Sequence, residues 1–295
     1  MLKKLTPYLN SLPALILISL IILFPIGYTF YISITNMNIF NWFEFNVVGL
    51  VNYERALFVL DSGFFRAAFI TLIWTGLNMV LQLLIAFIIA SLLNHRDIQL
   101  KGLYKTLLLI PWAIPGYVSI LLWRTGMFNT QFGLLNQWLR AFNVAPVQWL
   151  STEWLAFTSM LVVNLWLALP FMIMIMDGAL QSIDRSYYEA LKLDSNSIIK
   201  KARFVTIPLM KPAITPAVII TLFTTFKQFD VVYLMILQPG QRTGADIQTI
   251  ITYAYENAFI TNNYGYSSAI SVIIFIILIV FVLATNRDLR SEKND

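Results

Sequence analysis

Apolar residues along this chain are gathered in long runs that shorter polar segments separate. A helix needs about 20 mainly apolar residues to cross the hydrocarbon core of a bilayer. Six runs approach or exceed that length. The pattern predicts an all-α integral membrane protein with six transmembrane helices in one domain over residues 1–295. We place these helices at about residues 12–33, 69–93, 104–123, 155–176, 212–231 and 269–284.

Composition supports this class, because 58% of the residues are hydrophobic and only 12% are charged, against about 25% charged residues in soluble domains. With no cysteine and a single histidine, His95, disulfides, thiolate metal sites and histidine metal clusters are excluded. Lys3 and Lys4 before the first apolar run resemble the start of a signal peptide. Since that run is long and no small-residue cleavage site follows it, we interpret it as a retained anchor.

Lys and Arg are distributed unevenly between the alternate connectors. One side of the membrane holds fourteen of them and the other side five, with Lys227 inside a span. Positively charged flanks stay in the cytoplasm, so we expect both termini in the cytosol. The net charge of +5 then reflects orientation, and no nucleic-acid partner is expected. The fourteen are Lys3, Lys4, Arg96, Lys101, Lys105, Arg185, Lys192, Lys200, Lys201, Arg203, Lys211, Arg287, Arg290 and Lys293, and the five are Arg55, Arg66, Arg124, Arg140 and Arg242.

The fifth span carries polar residues at helical spacing. Thr221, Thr224, Thr225 and Gln228 fall at i, i+3, i+4 and i+7, which puts them on one face of a continuous helix. Such a face can hydrogen-bond a neighbouring helix, at about 0.6 kcal/mol per contact in membranes. It can equally line a path for a polar, uncharged solute, because hydroxyl and amide groups leave no uncompensated charge. Both interpretations are open on this pattern.

Two further patterns have a structural and a functional interpretation. In the fourth span Asn164, Leu167, Ala168 and Phe171 share one helical face beside Pro170, which fits either core packing or a platform for a sugar. Lys227 and Asp230, three residues apart, can form a structural ion pair or a proton or ion relay. No second acidic residue at a span centre supports a relay.

A charged segment at 185–208 connects the fourth and fifth spans and is predicted to be helical and cytosolic. Ser186 can cap a helix that begins at Tyr187, and Glu189 can close a capping box. Pro208 is then expected to end the helical pattern. A surface helix between two spans can be merely amphipathic, but the order of residues in this segment favours a functional role.

That order resembles the EAA motif of permease subunits in binding-protein-dependent ABC importers. The spacing matches the motif at Glu189-Ala190-Leu191, at Asp194 five residues after the glutamate, and at Ile207-Pro208, whose proline is nineteen residues after it. The residue types differ from the usual motif at Leu191, Ser195 and Asn196. The likeness extends to the MalF-like carbohydrate permeases through three segments. These are LLLIPWAIPGYVSILLWRTGMFNTQFGLLN at 107–136, NLWLALPFM at 164–172 and FTTFKQFDVVYLMI at 223–236.

The resemblance implies the type I ABC importer permease fold, in which the EAA segment forms a coupling helix that docks on an ATPase. It also implies a multi-pass protein in the cytoplasmic membrane of a prokaryotic cell. It implies a second homologous permease subunit, two ATP-binding cassette ATPase subunits that hold ATP and Mg, an extracellular solute-binding protein, a sugar substrate of the maltodextrin-like class, and membrane lipid. No cofactor is expected in this chain, which has no phosphate-binding loop and is not itself an enzyme. The coupling residues by this resemblance are Tyr188, Glu189, Ala190, Leu191, Asp194, Ser195 and Pro208. The substrate-path residues by this resemblance are Leu167, Ala168, Phe171, Thr221, Thr224, Thr225 and Gln228. Asn164 is added to them from the shared face of the fourth span.

Two other classes compete with this interpretation. An ion-coupled secondary carrier of a polar solute would carry an internal inverted repeat and a buried titratable site, and the sequence indicates neither. A membrane protein with only a structural or assembly role would use the cytosolic helix as a docking site without transport.

Overall fold

A computed structural model describes residues 11–59, 63–95, 97–237 and 244–291, with side chains described as far as Leu283. This part of the chain is helical and contains no strand beyond an isolated bridge between Thr35 and Val47. Among the orientation residues, Lys3, Lys4, Arg96, Arg242 and Lys293 lie outside the described residues, as do the side chains of Arg287 and Arg290. The helices are α1 (Ser11–Ser33), α2 (Val51–Phe58), α3 (Phe64–Leu93), α4 (Lys101–Leu108), α5 (Ile110–Ala113), α6 (Gly116–Leu122), α7 (Leu134–Ala141), α8 (Glu153–Gln181), α9 (Arg185–Asp194), α10 (Ile198–Lys201), α11 (Ile207–Phe226), α12 (Asp230–Val232), α13 (Ile250–Phe259) and α14 (Tyr264–Ser291).

Within the described residues, five segments are long and apolar enough to cross a membrane. The all-α membrane fold is therefore confirmed, while the count of six continuous helices is not. Large apolar side chains cover the outside of these segments, and in α1 only 6% of the most apolar 18-residue stretch is buried. A surface of this kind has to face lipid or other subunits. The five segments are Ser11–Ser33, Phe64–Leu93, Glu153–Gln181, Ile198–Leu237 and Tyr264–Leu283.

The predicted third span, 104–123, is divided into α4, α5 and α6. Ile114 is extended, with φ −107° and ψ 133°, because a following proline disfavours the helical region for the residue before it. Pro115 also has no N–H to continue the hydrogen-bond ladder. We therefore correct the prediction of one transmembrane helix at 104–123 to three short helices, and α6 continues into a π-helical turn, Trp123–Met127.

The fifth span has different limits from those predicted at 212–231. α11 begins at Ile207 and keeps Pro212 and Pro216 inside it, but it ends at Phe226. Residues 227–229 interrupt the helix, and α12 then leads into a π-helical turn, Tyr233–Leu237. Pro208 lies in the first turn of α11, directly after the π-helical turn Ala202–Thr206, so the helical path continues through it. The expectation that Pro208 ends a helix was wrong.

The described helices fall into two compact units, Met1–Ala68 with Ile250–Asp295, and Phe69–Thr249. In the first unit, Phe30 of α1 meets Phe275 of α14 edge to face, with ring centres 5.9 Å apart. The buried Asn52 amide donates to the carbonyls of Ser33 and Thr35 at 2.9 and 2.8 Å. These bonds hold the end of α1 and the loop that follows it.

The second unit contains two apolar clusters. One surrounds Trp74 and Met160 and includes Val231 and Met235 from the far side of the break in the fifth span. The other brings together α3, α8 and α11. Between α6 and α8, the loop is organised by Asn136, whose fully buried amide donates to the Val147 carbonyl at 2.9 Å and accepts the Val147 N–H at 2.9 Å. All candidate functional residues lie in this unit.

Candidate functional site

The helix α9 is capped by Asp184, whose carboxylate accepts the backbone N–H of Ser186 at 2.8 Å. This backbone bond is the main reason that the pKa of Asp184 lies below the ordinary carboxyl value. The prediction that Ser186 caps this helix was wrong, because the helix begins at Arg185 and the preceding aspartate is an equally good cap. Glu189 then lies beyond the capping-box position.

Among the predicted coupling residues of α9, some pack against the rest of the protein and others are exposed. Tyr188 packs on the start of the fifth span: its hydroxyl lies 3.3 Å from the Thr206 hydroxyl, and the Lys201 ammonium lies 4.6 Å from its ring centre. Leu191 is also half-buried, while Glu189 is exposed. Ala190, Asp194 and Pro208 are exposed as well.

The turn after α9 forms without the glycine that the motif usually has. Ser195 occupies this position with φ −164°, an extended backbone that any residue adopts, and its N–H donates to the Leu191 carbonyl at 2.8 Å. Its hydroxyl accepts the N–H of Ser197 at 3.3 Å. Ser197 in turn caps α10. The serine therefore preserves a tight connection between α9 and α10.

On α8, the predicted path residues lie where neighbouring helices bind the backbone. Asn164 is 6% exposed, and its amide donates to the Asn78 side chain of α3 at 2.7 Å. One turn later, the carbonyl of Ala168 accepts the Gln82 amide at 2.9 Å. Asn164 therefore forms a hydrogen bond between two helices, which is the structural interpretation of a polar side chain in a span.

The remaining part of the α8 face is aromatic. Trp112 of α5 stacks on Phe171 with ring centres 5.8 Å apart and planes 23° from parallel, and its indole N–H donates to the Leu167 carbonyl at 3.3 Å. Trp112 is 55% exposed, and Phe171 is half-buried. Trp112 was not among the predicted site residues, although its position between two prolines marks the break that presents it.

The threonine face of the fifth span is only partly formed as predicted. Thr221 and Thr225 are buried, whereas Thr224 is exposed and its hydroxyl donates to the Thr221 carbonyl at 2.9 Å. Gln228 does not lie on this helical face, because α11 ends at Phe226. The i+7 placement depended on a continuous helix, so it is corrected: Gln228 belongs to the interruption, where it is half-buried.

The same interruption separates Lys227 from Asp230. Lys227 closes the end of α11 by donating its N–H to the Phe223 carbonyl at 3.2 Å, and Asp230 begins α12. Both residues are exposed, and no ion pair joins them in the described part of the chain. The helical i, i+3 spacing on which a pair depended is absent here.

A polar stripe on α3 was missed by sequence reasoning. Thr71, Thr75, Asn78 and Gln82 follow a helical spacing and are at most 7% exposed. Asn78 and Gln82 make the two bonds to α8 described above, so the stripe joins the second span to the fourth. The same periodicity that identified the threonine face would have found it. Among the described residues, no group of three or more His, Asp or Glu side chains could hold a metal ion.

The model of one protein family matches residues 82–290, and its description is binding-protein-dependent transport system inner membrane component. A trehalose/maltose transport system permease protein from Thermococcus litoralis is 32% identical over 94% of this chain and 90% of its own length. A galactooligosaccharide transport system permease protein from Bacillus subtilis is 28% identical over 98% of this chain and 71% of its own length.

Solved structures share the fold. A chain of a bacterial ABC transporter that imports the polysaccharide alginate superposes with a TM-score of 0.75 at 20% identity, over 98% of this chain and 96% of that one. A chain of a methionine ABC transporter in an inward-facing conformation gives 0.51 at 19% identity, over 77% of this chain. With the family match over most of its length, this chain belongs to the family of inner-membrane components of binding-protein-dependent transport systems.

Proposed function

We propose that this chain is the permease subunit of an ABC importer that moves a sugar or oligosaccharide of the maltodextrin-like class across the cytoplasmic membrane. ATP hydrolysis on a partner subunit drives the movement. The observation that carries the proposal is α9, an exposed and capped helix that presents the EAA-like residues between two membrane-spanning segments. The sugar class is supported by the relatives from Thermococcus litoralis and Bacillus subtilis, which are permeases for trehalose/maltose and for galactooligosaccharides.

The surface around α9 supports docking of an ATPase. Leu193, Ile198 and Ile199 are 89%, 83% and 77% exposed beside the charged Glu189 and Asp194. Large apolar side chains exposed among charged residues are typical of an interaction site, because a protein partner can cover them. The sequence has no phosphate-binding loop of its own, so ATP and Mg would be held by two partner ATPase subunits.

The remaining partners follow from the same architecture. A second, homologous permease would cover part of the exposed apolar surface, and lipid would cover the rest. An extracellular solute-binding protein would deliver the sugar to the outer loops. The excess of Lys and Arg on one side supports an orientation with both termini and α9 in the cytosol.

The sugar path in this proposal runs along the aromatic part of α8. Trp112, stacked on Phe171 and 55% exposed, would offer an apolar ring face to the C–H groups of a sugar, while hydroxyl and amide groups would bind the hydroxyls of the sugar. Thr224 and Gln228 supply such groups without adding charge. Leu167, Ala168, Thr221, Thr225 and Asn164 shape the helices around this path.

The test is uptake of labelled maltodextrin by cells that carry Glu189→Lys. We expect uptake to fall by at least about tenfold, since a reversed charge at a docked surface costs several kcal/mol. Asp97→Lys is the matched control, because Asp97 is an exposed carboxylate on the same side but outside α9. Wild-type uptake in Glu189→Lys, with the complex still assembled, would refute coupling through α9.

A further inference from the structure

A buried carboxylate connects three helices of the second unit, α3, α4 and α8, near one end. Asp177, 5% exposed, lies in the last turns of α8. Its Oδ1 accepts the side-chain amide of Asn94, which follows α3, at 2.8 Å. Its Oδ2 accepts the Gln181 amide at 2.8 Å and lies 2.5 Å from the ammonium of Lys105 on α4. Both carboxylate oxygens are therefore engaged.

The chemistry of this contact indicates a role in geometry rather than in stability alone. A buried ion pair contributes little net stability, because desolvating the two charges offsets most of their attraction. Removing one member is costly, however, since the other charge is left without a partner. Lys105 is 31% exposed, so its charge remains partly hydrated even when Asp177 is replaced. The pair is directional, and together with the Asn94 hydrogen bond it fixes the position of α4 and of the end of α3 relative to α8.

The packing beside the carboxylate strengthens this arrangement. Ala86 and Ala90 of α3 are fully buried against Met172 and Met176 of α8, and Met210 of α11 completes the cluster. Small residues on α3 allow the two helices to approach closely. The carboxylate bonds and the tight packing therefore act on the same ends of α3 and α8.

Asp177 is also connected directly to the cap of α9. Gln181, which binds Asp177, ends α8, and only residues 182–183 separate it from Asp184. The Ser182 hydroxyl donates to the Ala179 carbonyl at 2.8 Å, which keeps this short connector against the end of α8. A displacement of α9 therefore acts first on the helix end that carries Asp177.

We propose that Asp177 is a positioning residue that makes the ends of α3, α4 and α8 move together when α9 moves. The proposal rests on the proposed function and adds the contact that distributes the motion from one helix to three. When the carboxylate loses its charge, α8 still follows α9, but α3 and α4 follow it less closely. Transport then falls for each ATP that is hydrolysed.

The experiment compares the intact complex, with its partner subunits, in vesicles for the wild type, Asp177→Asn and Lys105→Gln. Maltodextrin uptake and ATP hydrolysis are measured together, and assembly is measured by co-purification. We expect both variants to assemble and to transport about fivefold less sugar per ATP, the low end of coupling between sites. Asp97→Asn, which removes an exposed carboxylate on the same side, is expected to keep the wild-type ratio.

An unchanged ratio in both assembled variants would overturn the proposal. If Asp177→Asn does not assemble, Lys105→Gln decides, and failure of both to assemble would show that the contact serves folding only. The proposed function fails separately, if wild-type vesicles take up no sugar in response to ATP. Uptake driven by a proton gradient without ATPase subunits would overturn both, since Asp177 would then be the buried titratable group of a carrier.

Discussion

Asn78 and Asn164, 86 residues apart in the chain, share a side-chain hydrogen bond of 2.7 Å that links α3 to α8. Asn78 also donates to the carbonyl of Trp74 at 2.8 Å, so its amide is oriented by its own helix before it meets Asn164. Both residues are buried among apolar side chains, where a polar group without a partner is costly. The bond therefore specifies how the second and fourth spans align.

Replacing Asn164 with leucine is expected to lower the thermal stability of the purified complex. The Asn78 oxygen loses its donor, at a cost of about 0.6 kcal/mol on average and up to about 1.7 kcal/mol for such bonds in membranes. The double variant Asn78→Leu/Asn164→Leu is expected to recover part of the loss, because removing both partners leaves nothing unsatisfied. Thermal unfolding in detergent measures this, and fully additive losses would contradict a direct interaction.

The cap of α9 is expected to depend on the charge of Asp184. Because its folded pKa lies below the ordinary value of 3.8, the carboxylate stabilises α9 fully above that value, and this contribution is lost as the pH falls through the lower folded pKa. Asp184→Ala is therefore expected to speed hydrogen exchange at the Ser186 amide at neutral pH.

Asp184→Asn is the control for this prediction, because asparagine also caps helices without a charge. Exchange rates, corrected for intrinsic pH effects and read by mass spectrometry, should rank alanine above asparagine and the wild type. Equal protection in the alanine variant would mean that the carboxylate does not hold the first turn.

The stacked pair on the proposed sugar path gives a prediction about transport. Trp112→Ala and Phe171→Ala each remove one ring of the apolar surface that the path would offer a sugar. Each is expected to lower transport by roughly two- to tenfold, the effect of losing an aromatic contact of about 0.5–1.5 kcal/mol to the sugar. Trp112→Phe keeps an aromatic face and is expected to retain more activity. Gln228→Ala is also expected to reduce uptake by removing a group that can bind a hydroxyl.

Initial uptake rates and co-purification of the ATPase subunits check this prediction in the same cells. Association with the ATPase should be unchanged, since these residues lie away from α9. Transport kinetics equal to wild type in all of these variants would remove the residues from the solute path.

Gly265 is expected to tolerate no side chain. A Cβ there would overlap the backbone carbonyl of Thr35, which cannot move aside as a flexible side chain does. Gly265→Ala should therefore destabilise the first unit by about 1–3 kcal/mol, the usual cost of overpacking. Gly76→Ala, also in a helix but facing open space, is the control, and similar unfolding temperatures for both variants would contradict the close approach.

Hydropathy identified the membrane class because a run of apolar residues has few alternatives to a spanning helix. It could not reveal where helices break, since Pro115 and Pro216 look alike in sequence. Pro115 interrupts the third span, while Pro216 remains inside α11. Packing against neighbouring helices can override the local preference of a proline, and a single sequence does not show that packing.

Motif spacing located α9, although the position of its cap was missed by two residues because Asp184 and Ser186 are both good caps. Periodicity found the threonines of α11, but Gln228 was misplaced since a helix end inside a span has no strong signal. Contacts between distant segments were beyond a single sequence. Asp177 shows this, because its partners on α3 and α4 precede it by more than seventy positions.

That separation also bears on how the protein is made. The ribosome delivers Asn94 and Lys105 to the membrane well before Asp177 exists, so the ammonium at the start of α4 has no carboxylate to meet at that stage. The ends of α3 and α4 acquire their final spacing only after α8 has been inserted. A nascent chain arrested ahead of Asp177 should therefore remain exposed to membrane quality-control proteases.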